Sequence, residues 1–456
     1  MKSLAVIILA AGKGTRMKSD LVKVLHPVAG RPMLAFTLDL ARSLRPDRLV
    51  VVVGSQRNLV REKFVAEDLI FVDQEKQLGT GHAVLTAKPA LRNFQGTDLI
   101  LCADVPLLSE ETIKKFIKSH EKGLYTLSVL TTCLENPTGY GRIFRGEKGQ
   151  LLRIVEQKDL LAEEESIREI NTGIYCVEAK FLISALMGLS NRNAQKEYYL
   201  TDIVATANSQ GKKAAAFLTK GPREVMGINT RLDLAKANQF LRCKIAERHM
   251  LAGVTLIDPR TTYIDHQAEI GRDTVIYPNC HLLGKTSLGK NCLIEPGCKI
   301  TDTQAGNFVI IKASSVVSES ILEDRVEVGP LAHLRSQTLL REGSRIGNFV
   351  EVKKSVIGKG TQANHLTYLG DATVGEKVNI GAGTVTCNYD GRKKHPTLIE
   401  DGVFVGSNTE LVAPIKIGRK AIIGAGSTIT KDVPPDHLAL SRARQVIYKR
   451  TSRRKD

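Results

Sequence analysis

Residues 264–300 read IDHQAEIGRDTVIYPNCHLLGKTSLGKNCLIEPGCKI, and the spacing of their aliphatic residues decides the architecture of the second half of the chain. Ile264, Ile270, Ile276, Leu282, Leu288, Ile294 and Ile300 recur every six residues. A helix repeats every 3.6 residues and a strand every two, so a sustained period of six belongs to neither. A β-helix of hexapeptide repeats accounts for it, because each turn then places an aliphatic residue inside a stacked prism. The period returns in Val328, Leu334, Leu340, Ile346 and Val352, in Val374 and Ile380, and in Ile399, Val405, Leu411, Ile417, Ile423 and Ile429. Residues 386–398 interrupt it with Asn388-Tyr389-Asp390-Gly391 and Lys393-Lys394-His395-Pro396, so a loop is expected to project there. The polar stretch Asn364-His365-Leu366-Thr367-Tyr368 reads as a second break in the aliphatic train.

Ahead of residue 252 the pattern changes. Apolar runs at 4–10, 49–54, 99–102, 127–131 and 170–177 predict strands, and amphipathic stretches at 33–44, 58–67, 111–120 and 200–209 predict helices. This alternation predicts an α/β domain around a mostly parallel sheet, whose ligands bind at the carboxyl ends of the strands. Residues 230–251 read as one helix with Leu234, Ala237, Leu241 and Ile245 on one face, linking a domain at 1–229 to one at 252–456.

At 456 residues the chain exceeds one ordinary core. Its 42% hydrophobic and 25% charged residues are an ordinary globular composition, and no apolar run is long enough to predict membrane insertion. Cys102, Cys133, Cys176, Cys243, Cys280, Cys292, Cys298 and Cys387 contain no C-x-x-C pair, so free thiols in a reducing cytoplasm are expected rather than zinc or disulfides. A net charge of +17 suits nucleic acid or small anionic substrates; with 5% aromatics and no Trp, platforms for stacking bases are sparse, and a nucleic-acid partner is not expected. The basic cluster Lys449, Arg450, Arg453, Arg454 and Lys455 reads as a solvated tail.

The first strand runs into Gly12-Lys13-Gly14-Thr15-Arg16. This is not a Rossmann fingerprint, since Met17 takes the last glycine's place, nor a Walker A loop, whose spacing differs. Arg16 and Lys23 supply cations that can neutralise a triphosphate, and Asp104 follows a strand where a hard-oxygen magnesium ligand belongs. Taken with Gln74, Gly79-Thr80, Asp104-Val105-Pro106, Thr138-Gly139-Tyr140-Gly141-Arg142, Glu156, Asn171-Thr172-Gly173 and Gly227-Ile228-Asn229, the first half resembles the sugar-nucleotide pyrophosphorylases. With the second half included, residues 4–445 resemble the bifunctional family of N-acetylglucosamine-1-phosphate uridylyltransferase/glucosamine-1-phosphate N-acetyltransferases.

That resemblance implies an N-terminal Rossmann-like α/β nucleotidyltransferase domain, a linker helix and a C-terminal left-handed parallel β-helix. It implies UTP, acetyl-CoA and Mg2+ as co-substrates and cofactor, and a homotrimer. Leu9, Ala11 and Gly12, with Gln74, Gly79 and Thr80, are then expected at the uracil and ribose, Arg16 and Lys23 at the phosphates, Gly141, Glu156 and Asn171 at the sugar, and Asp104 and Asn229 at magnesium. In the second half it implies His365 as the general base, Arg335, Lys353, Tyr368 and Asn379 at glucosamine-1-phosphate, and Ala382, Asn388, Tyr389, Ser407, Ala425 and Arg442 at acetyl-CoA. Three positions depart from the family: Ala103 stands where Gly usually precedes the metal-binding Asp, and its methyl is expected to crowd the ribose or metal edge; Val22 and Ser336 each replace Pro. Nothing beside Cys387 in sequence would activate its thiol, so direct acetyl transfer is expected over an acyl-enzyme.

Two other readings stay open at this point. A single-activity nucleotidyltransferase with a structural β-helix would have no need of His365 among Tyr368 and Asn379. A non-catalytic assembly subunit would be expected to have lost the phosphate-loop cations and Asp104.

Overall fold

The computed structural model describes residues 3–54 and 56–449, and the chain divides into two compact units, residues 1–241 and 242–456. Of the basic tail, Lys449 is exposed, while Arg450, Arg453, Arg454 and Lys455 lie outside the described residues.

The first unit is built on nine strands: β1 (Leu4–Ala10), β2 (Arg48–Val53), β3 (Leu69–Asp73), β4 (Thr97–Cys102), β5 (Leu127–Cys133), β6 (Arg142–Arg145), β7 (Leu151–Val155), β8 (Glu169–Glu178) and β9 (Ala214–Leu218). The main sheet runs β9-β5-β8-β4-β1-β2-β3, with β6 and β7 as an antiparallel pair attached to β8. Along that path β8 opposes its neighbours and the other strands run in one direction.

Side chains of β1 alternate between two apolar layers. Val6 and Ile8 join Leu99 and Leu101 with Leu34, Leu38, Ile113 and Phe116 on one side. Ala5 and Ile7 join Val50, Val52 and Ile100 with Val84, Leu182 and Ile203 on the other. The helices that cover the sheet are α1 (Met33–Ser43), α2 (Arg57–Lys63), α3 (Thr80–Thr86), α4 (Glu110–Gly123), α5 (Ala179–Met187) and α6 (Ile203–Ser209). In α4 the Ser109 hydroxyl accepts from the Thr112 amide, Glu110 and Glu111 fill the first turn and His120 and Lys122 the last, matching the helix dipole at both ends. The stretches expected as strands and helices all form, some with shifted ends: α2 closes at Lys63, and residues 200–202 are a 3-10 turn leading into α6. Helix α7 (Arg231–Leu251) follows.

The second unit is a prism of three parallel sheets of eleven, ten and nine strands. Face one begins with Thr255–Leu256, face two with Tyr263–Ile264 and face three with Glu269–Ile270. On face one each strand contributes one inward residue, so that Ile276, Ile294, Ile311, Val328 and Ile346 stack, and the stack is sealed from water.

From Ile264 onward the period of six holds at every corner but one. Between faces two and three the step shortens to five at Ile300 to Ala305, Val317 to Leu322, Val352 to Ile357 and Leu369 to Val374. These shortenings hide Ala305, Ile311, Val317, Leu322, Ile357, Ala363 and Leu369 from a fixed six-residue count, although they belong to the same prism. The projecting loop leaves at that same edge, between the inward residues Thr386 and Ile399. The stretch around His365 is not a break: Ala363 and Leu369 keep the six-residue step, and His365 sits on the corner between them. All eight cysteines are free thiols.

Candidate functional site

The carboxyl ends of β1, β2 and β4 lie side by side, since Ala10 pairs with Val53 and Leu9 with Cys102. The loops that follow bring Leu9, Ala11, Gly12, Lys23, Gln74, Gly79, Thr80 and Asp104 around one pocket. Gly54 is required there: a Cβ would stand 2.5 Å from the Ala11 carbonyl oxygen and 2.7 Å from Gln77 Nε2. Gly79 has φ +113°, and its missing Cβ leaves room for the Tyr198 backbone.

Two residues distant in sequence converge on the ammonium group of Lys23. Lys23 Nζ pairs with Asp104 Oδ2 and donates to Asn229 Oδ1 at 2.7 Å. Arg16 donates to the same Asn229 oxygen at 2.9 Å. Asp104 and Asn229 thus offer two hard oxygens aimed at one point, a donor set that fits magnesium, which takes few protein ligands and keeps several waters.

A second cluster forms on β6, β7 and β8. The Asn171 amide donates to the Gly141 carbonyl at 2.9 Å, and a Cβ on Gly141 would stand 3.4 Å from Glu156 Oε2. Burial pushes the Glu156 carboxyl up, and Thr201 donates to its Oε1 at 3.4 Å. Tyr140, next to Gly141, lies within electrostatic reach of Asp104 and Arg16.

Ala103 does not crowd this pocket. It is fully buried in the apolar layer with Val105 and Leu108, and Cys102 lines the pocket instead. Burial, reinforced by Asp104, pushes the Cys102 thiol up to about 12, so it stays protonated. Val22 packs against the same apolar layer. Gln77 and Glu197 also line the pocket without having been singled out in the sequence. Gln77 donates to the Ala11 carbonyl at 2.6 Å.

In the β-helix one corner carries a ladder. Asn348, His365, Ala382, Ser407 and Ala425 each stand two residues after the inward residues Ile346, Ala363, Ile380, Val405 and Ile423 of face one. His365 Nδ1 lies 2.6 Å from Asn348 Oδ1. An amide oxygen only accepts, so Nδ1 carries a hydrogen toward Asn348, and Nε2 has no hydrogen-bond partner among the described residues. Higher on the ladder Arg442 donates to the Ala425 carbonyl at 2.8 Å.

Arg335, Lys353 and Tyr368 occupy the outer surface of face two. Arg335 pairs with Glu351 at 2.8 Å. Lys394, from the projecting loop, holds the Lys353 ammonium below its ordinary range, with Arg335 adding to the effect. Asn388 donates to Asp371 at 2.5 Å, tying that loop to its root, while Tyr389 is exposed and donates to the Gly391 carbonyl. Asn379 is not gathered with this group: it lies on face one, beside Gln362 and Phe404. Cys387 is pushed up by burial and by Glu410, which leaves it without thiolate character. Asn348 and Lys394 carry no separate signal in the sequence, because their relevance comes from the coil stacked above or below.

Residues 6–166 match the MobA-like NTP transferase domain, and residues 267–302 and 396–431 match the bacterial transferase hexapeptide repeats. The chain is 53% identical over 447 residues to the bifunctional protein GlmU of Geotalea daltonii, covering 98% of each chain. It is 54% identical to the GlmU of Geotalea uraniireducens over the same length, and 47% identical over 445 residues to that of Halalkalibacterium halodurans, covering 98% and 97% of the two chains. The chain belongs to the bifunctional GlmU family. It is therefore a transferase with two modules, and the GlmU relatives span both the pocket of the first unit and the ladder of the second. No helix among the described residues is long and apolar enough to cross a membrane.

Proposed function

We propose that this GlmU-family enzyme acetylates glucosamine-1-phosphate with acetyl-CoA and then joins UMP from UTP to N-acetylglucosamine-1-phosphate, releasing pyrophosphate. The observation that carries the reading is the presence, in one full-length relative of GlmU, of two separate polar constellations on the two modules. The nucleotidyltransferase domain is assigned to residues 1–229, the linker helix to 230–251 and the acetyltransferase to 252–456.

In the first reaction the sugar amine attacks the thioester carbonyl, His365 Nε2 takes the amine proton, the C–S bond breaks, and the departing coenzyme A thiolate takes up that proton to leave as its thiol. Arg335, Lys353, Tyr368 and Asn379 hold the sugar phosphate; Ala382, Asn388, Tyr389, Ser407, Ala425 and Arg442 hold acetyl-CoA. Asn379 on face one and Lys353 on face two are split around the His365 corner, an arrangement suited to a homotrimer in which a second copy completes each site.

In the second reaction the attacking phosphate oxygen is already anionic and needs no base. Leu9, Ala11, Gly12, Gln74, Gly79 and Thr80 hold the uridine; Gly141, Glu156 and Asn171 hold the sugar. Arg16 and Lys23 neutralise the triphosphate, so catalysis is positioning and charge stabilisation. Asp104 and Asn229 would hold Mg2+, which supplies further neutralisation of the phosphates when bound. The substrates are small molecules of the cytoplasm.

The test is one assay with glucosamine-1-phosphate, acetyl-CoA, UTP and magnesium. UDP-N-acetylglucosamine and pyrophosphate are the expected products. Turnover of supplied N-acetylglucosamine-1-phosphate without any acetyl transfer would leave the single-activity nucleotidyltransferase as the correct reading.

A further inference from the structure

Within Gly79-Thr80-Gly81-His82, His82 has no role in the mechanism above. It stands in the first turn of α3, half-buried, its ring centroid 6.5 Å from that of Tyr198. Its Nδ1 lies 3.0 Å from Nε2 of Gln74, and the same Nε2 donates to the Gly79 carbonyl at 3.1 Å. Gln74 is 4% exposed and lines the pocket with Leu9, Gly12 and Asp104.

These two contacts fix an orientation. A backbone carbonyl only accepts, so the Gln74 atom facing Gly79 is the amide nitrogen. That nitrogen has no lone pair to give, so His82 Nδ1 must be the acceptor, and the ring's hydrogen resides on Nε2. Burial lowers the His82 pKa, which favours this neutral ring. Both amide hydrogens of Gln74 are then used, and among the described residues no donor meets its Oε1.

The Gly79 anchor is itself held in place. The Gly81 amide donates to the Tyr198 carbonyl at 2.8 Å, and the Leu200 amide donates to Thr80 Oγ1 at 3.1 Å. A rotation of the Gln74 amide by half a turn would set its oxygen against the Gly79 carbonyl, leaving that partly buried acceptor unpaired, and would require the His82 hydrogen to move to Nδ1, which together are costly.

We propose that His82 is a positioning residue for base selection: with the Gly79 carbonyl it locks Gln74 so that only a carbonyl oxygen is offered to the nucleotide. A carbonyl accepts from the N3–H of uracil and repels the lone pair at N3 of cytosine. The proposal rests on the uridylyl reading of this pocket. Sites built to hydrogen-bond a particular group discriminate strongly against analogues that leave it unpaired.

The experiment compares kcat/KM for UTP and CTP, with N-acetylglucosamine-1-phosphate and magnesium, in the full-length enzyme, His82→Phe and His82→Asn. His82→Phe keeps the ring but removes the acceptor, and the preference for UTP over CTP should fall by about tenfold or more. His82→Asn restores an acceptor oxygen bonded to the same carbon as Nδ1, and should recover most of the preference. A folded His82→Phe enzyme that slows equally with both nucleotides would make His82 a packing residue and overturn the proposal. A wild-type enzyme with no preference for UTP would overturn the uridylyl reading instead. Nitrogen-15 NMR of histidine-labelled wild-type protein decides the tautomer without any variant: an unprotonated Nδ1 at His82 is expected, and a protonated one sinks the proposal.

Discussion

Both units pair an amide side chain with an imidazole, and they do so with opposite polarity. In the first, the Gln74 amide nitrogen meets His82 Nδ1, so the histidine accepts and the amide oxygen is left over for the pocket. In the second, the Asn348 oxygen meets His365 Nδ1, so the histidine donates and its Nε2 is left over. On the proposed roles, the group facing the substrate is the one its partner leaves unused. A static recogniser needs a fixed acceptor and a proton carrier a free basic nitrogen, and under that proposal the same two side-chain types serve both ends through which atom is tied down.

The largest expected effect breaks the second half of this comparison. His365→Ala should lower acetyl transfer by about 10²–10⁴-fold and leave uridylyl transfer from supplied N-acetylglucosamine-1-phosphate unchanged. The loss should shrink at high pH, where the sugar amine sheds its own proton. If folded His365→Ala loses both activities equally, the two modules do not act as separate sites.

The next effect breaks the first half. Asp104→Ala removes the carboxylate that pairs with Lys23, and uridylyl transfer should fall by about 10²–10³-fold or more, as when a preorganised electrostatic partner is lost. N-acetylglucosamine-1-phosphate should then accumulate from glucosamine-1-phosphate and acetyl-CoA. Near wild-type uridylylation, read as pyrophosphate release, would remove Asp104 from the site.

The two units also differ in how much of them can be read without coordinates. In the prism, register is a counting problem, so Ile264 to Ile300 announced the fold, while Ala305 and Val317 were lost because a single corner drops one residue. In the first unit, strands β1, β4 and β5 announced themselves by apolar runs, but α3, α5, β3, β6, β7 and β9 were missed. β9, Ala-Ala-Ala-Phe-Leu, is carried by pairing with β5 rather than by its own propensity. Of the candidate pocket, Leu9, Ala11, Gly12, Lys23, Gln74, Gly79, Thr80 and Asp104 lie on legible motifs and line it together. Gln77, His82 and Asn348 matter through what they hold, and a holding role has no spacing of its own.

A third, smaller effect concerns what each unit tolerates in its interior. Asp98 on β4 is fully buried, and neither carboxylate oxygen has a hydrogen-bond partner among the described residues. Burial, partly offset by Arg48, pushes its carboxyl up to about 7. A raised carboxyl binds its proton more tightly when folded, so no penalty exists below about pH 4, where both states are protonated. Between about pH 4 and 7 the unfolded chain binds fewer protons than the folded one, and stability falls as pH rises. Asp98→Asn should therefore gain relative to wild type by a few kcal/mol, at about 1.4 kcal/mol per unit, across that window. Urea unfolding at pH 4 and pH 7.5 measures it, and a pH-independent difference would show that Asp98 is ionised throughout.

The smallest effect sharpens the comparison within the prism itself. Three residues after each inward residue of face one from Ile276 to Ile423, the backbone turns through the left-handed region, and the occupants are Asn279, Gly297, Ser314, Gly383, Asn408 and Gly426, with Leu331, Phe349 and Leu366 between them. Small and Asn residues suit that conformation, whereas bulky apolar ones are strained in it. The three misfits are all exposed, and two of them directly follow Asn348 and His365. Phe349→Asn should relieve the strain and raise stability by about 0.5–1 kcal/mol, while Asn408→Phe should lower it by a similar amount. Both are read by urea unfolding at several protein concentrations. If Phe349→Asn destabilises instead, and does so more at high concentration, the ring's contacts are made with a second copy of the chain, and the strain at this corner is offset by assembly beside His365.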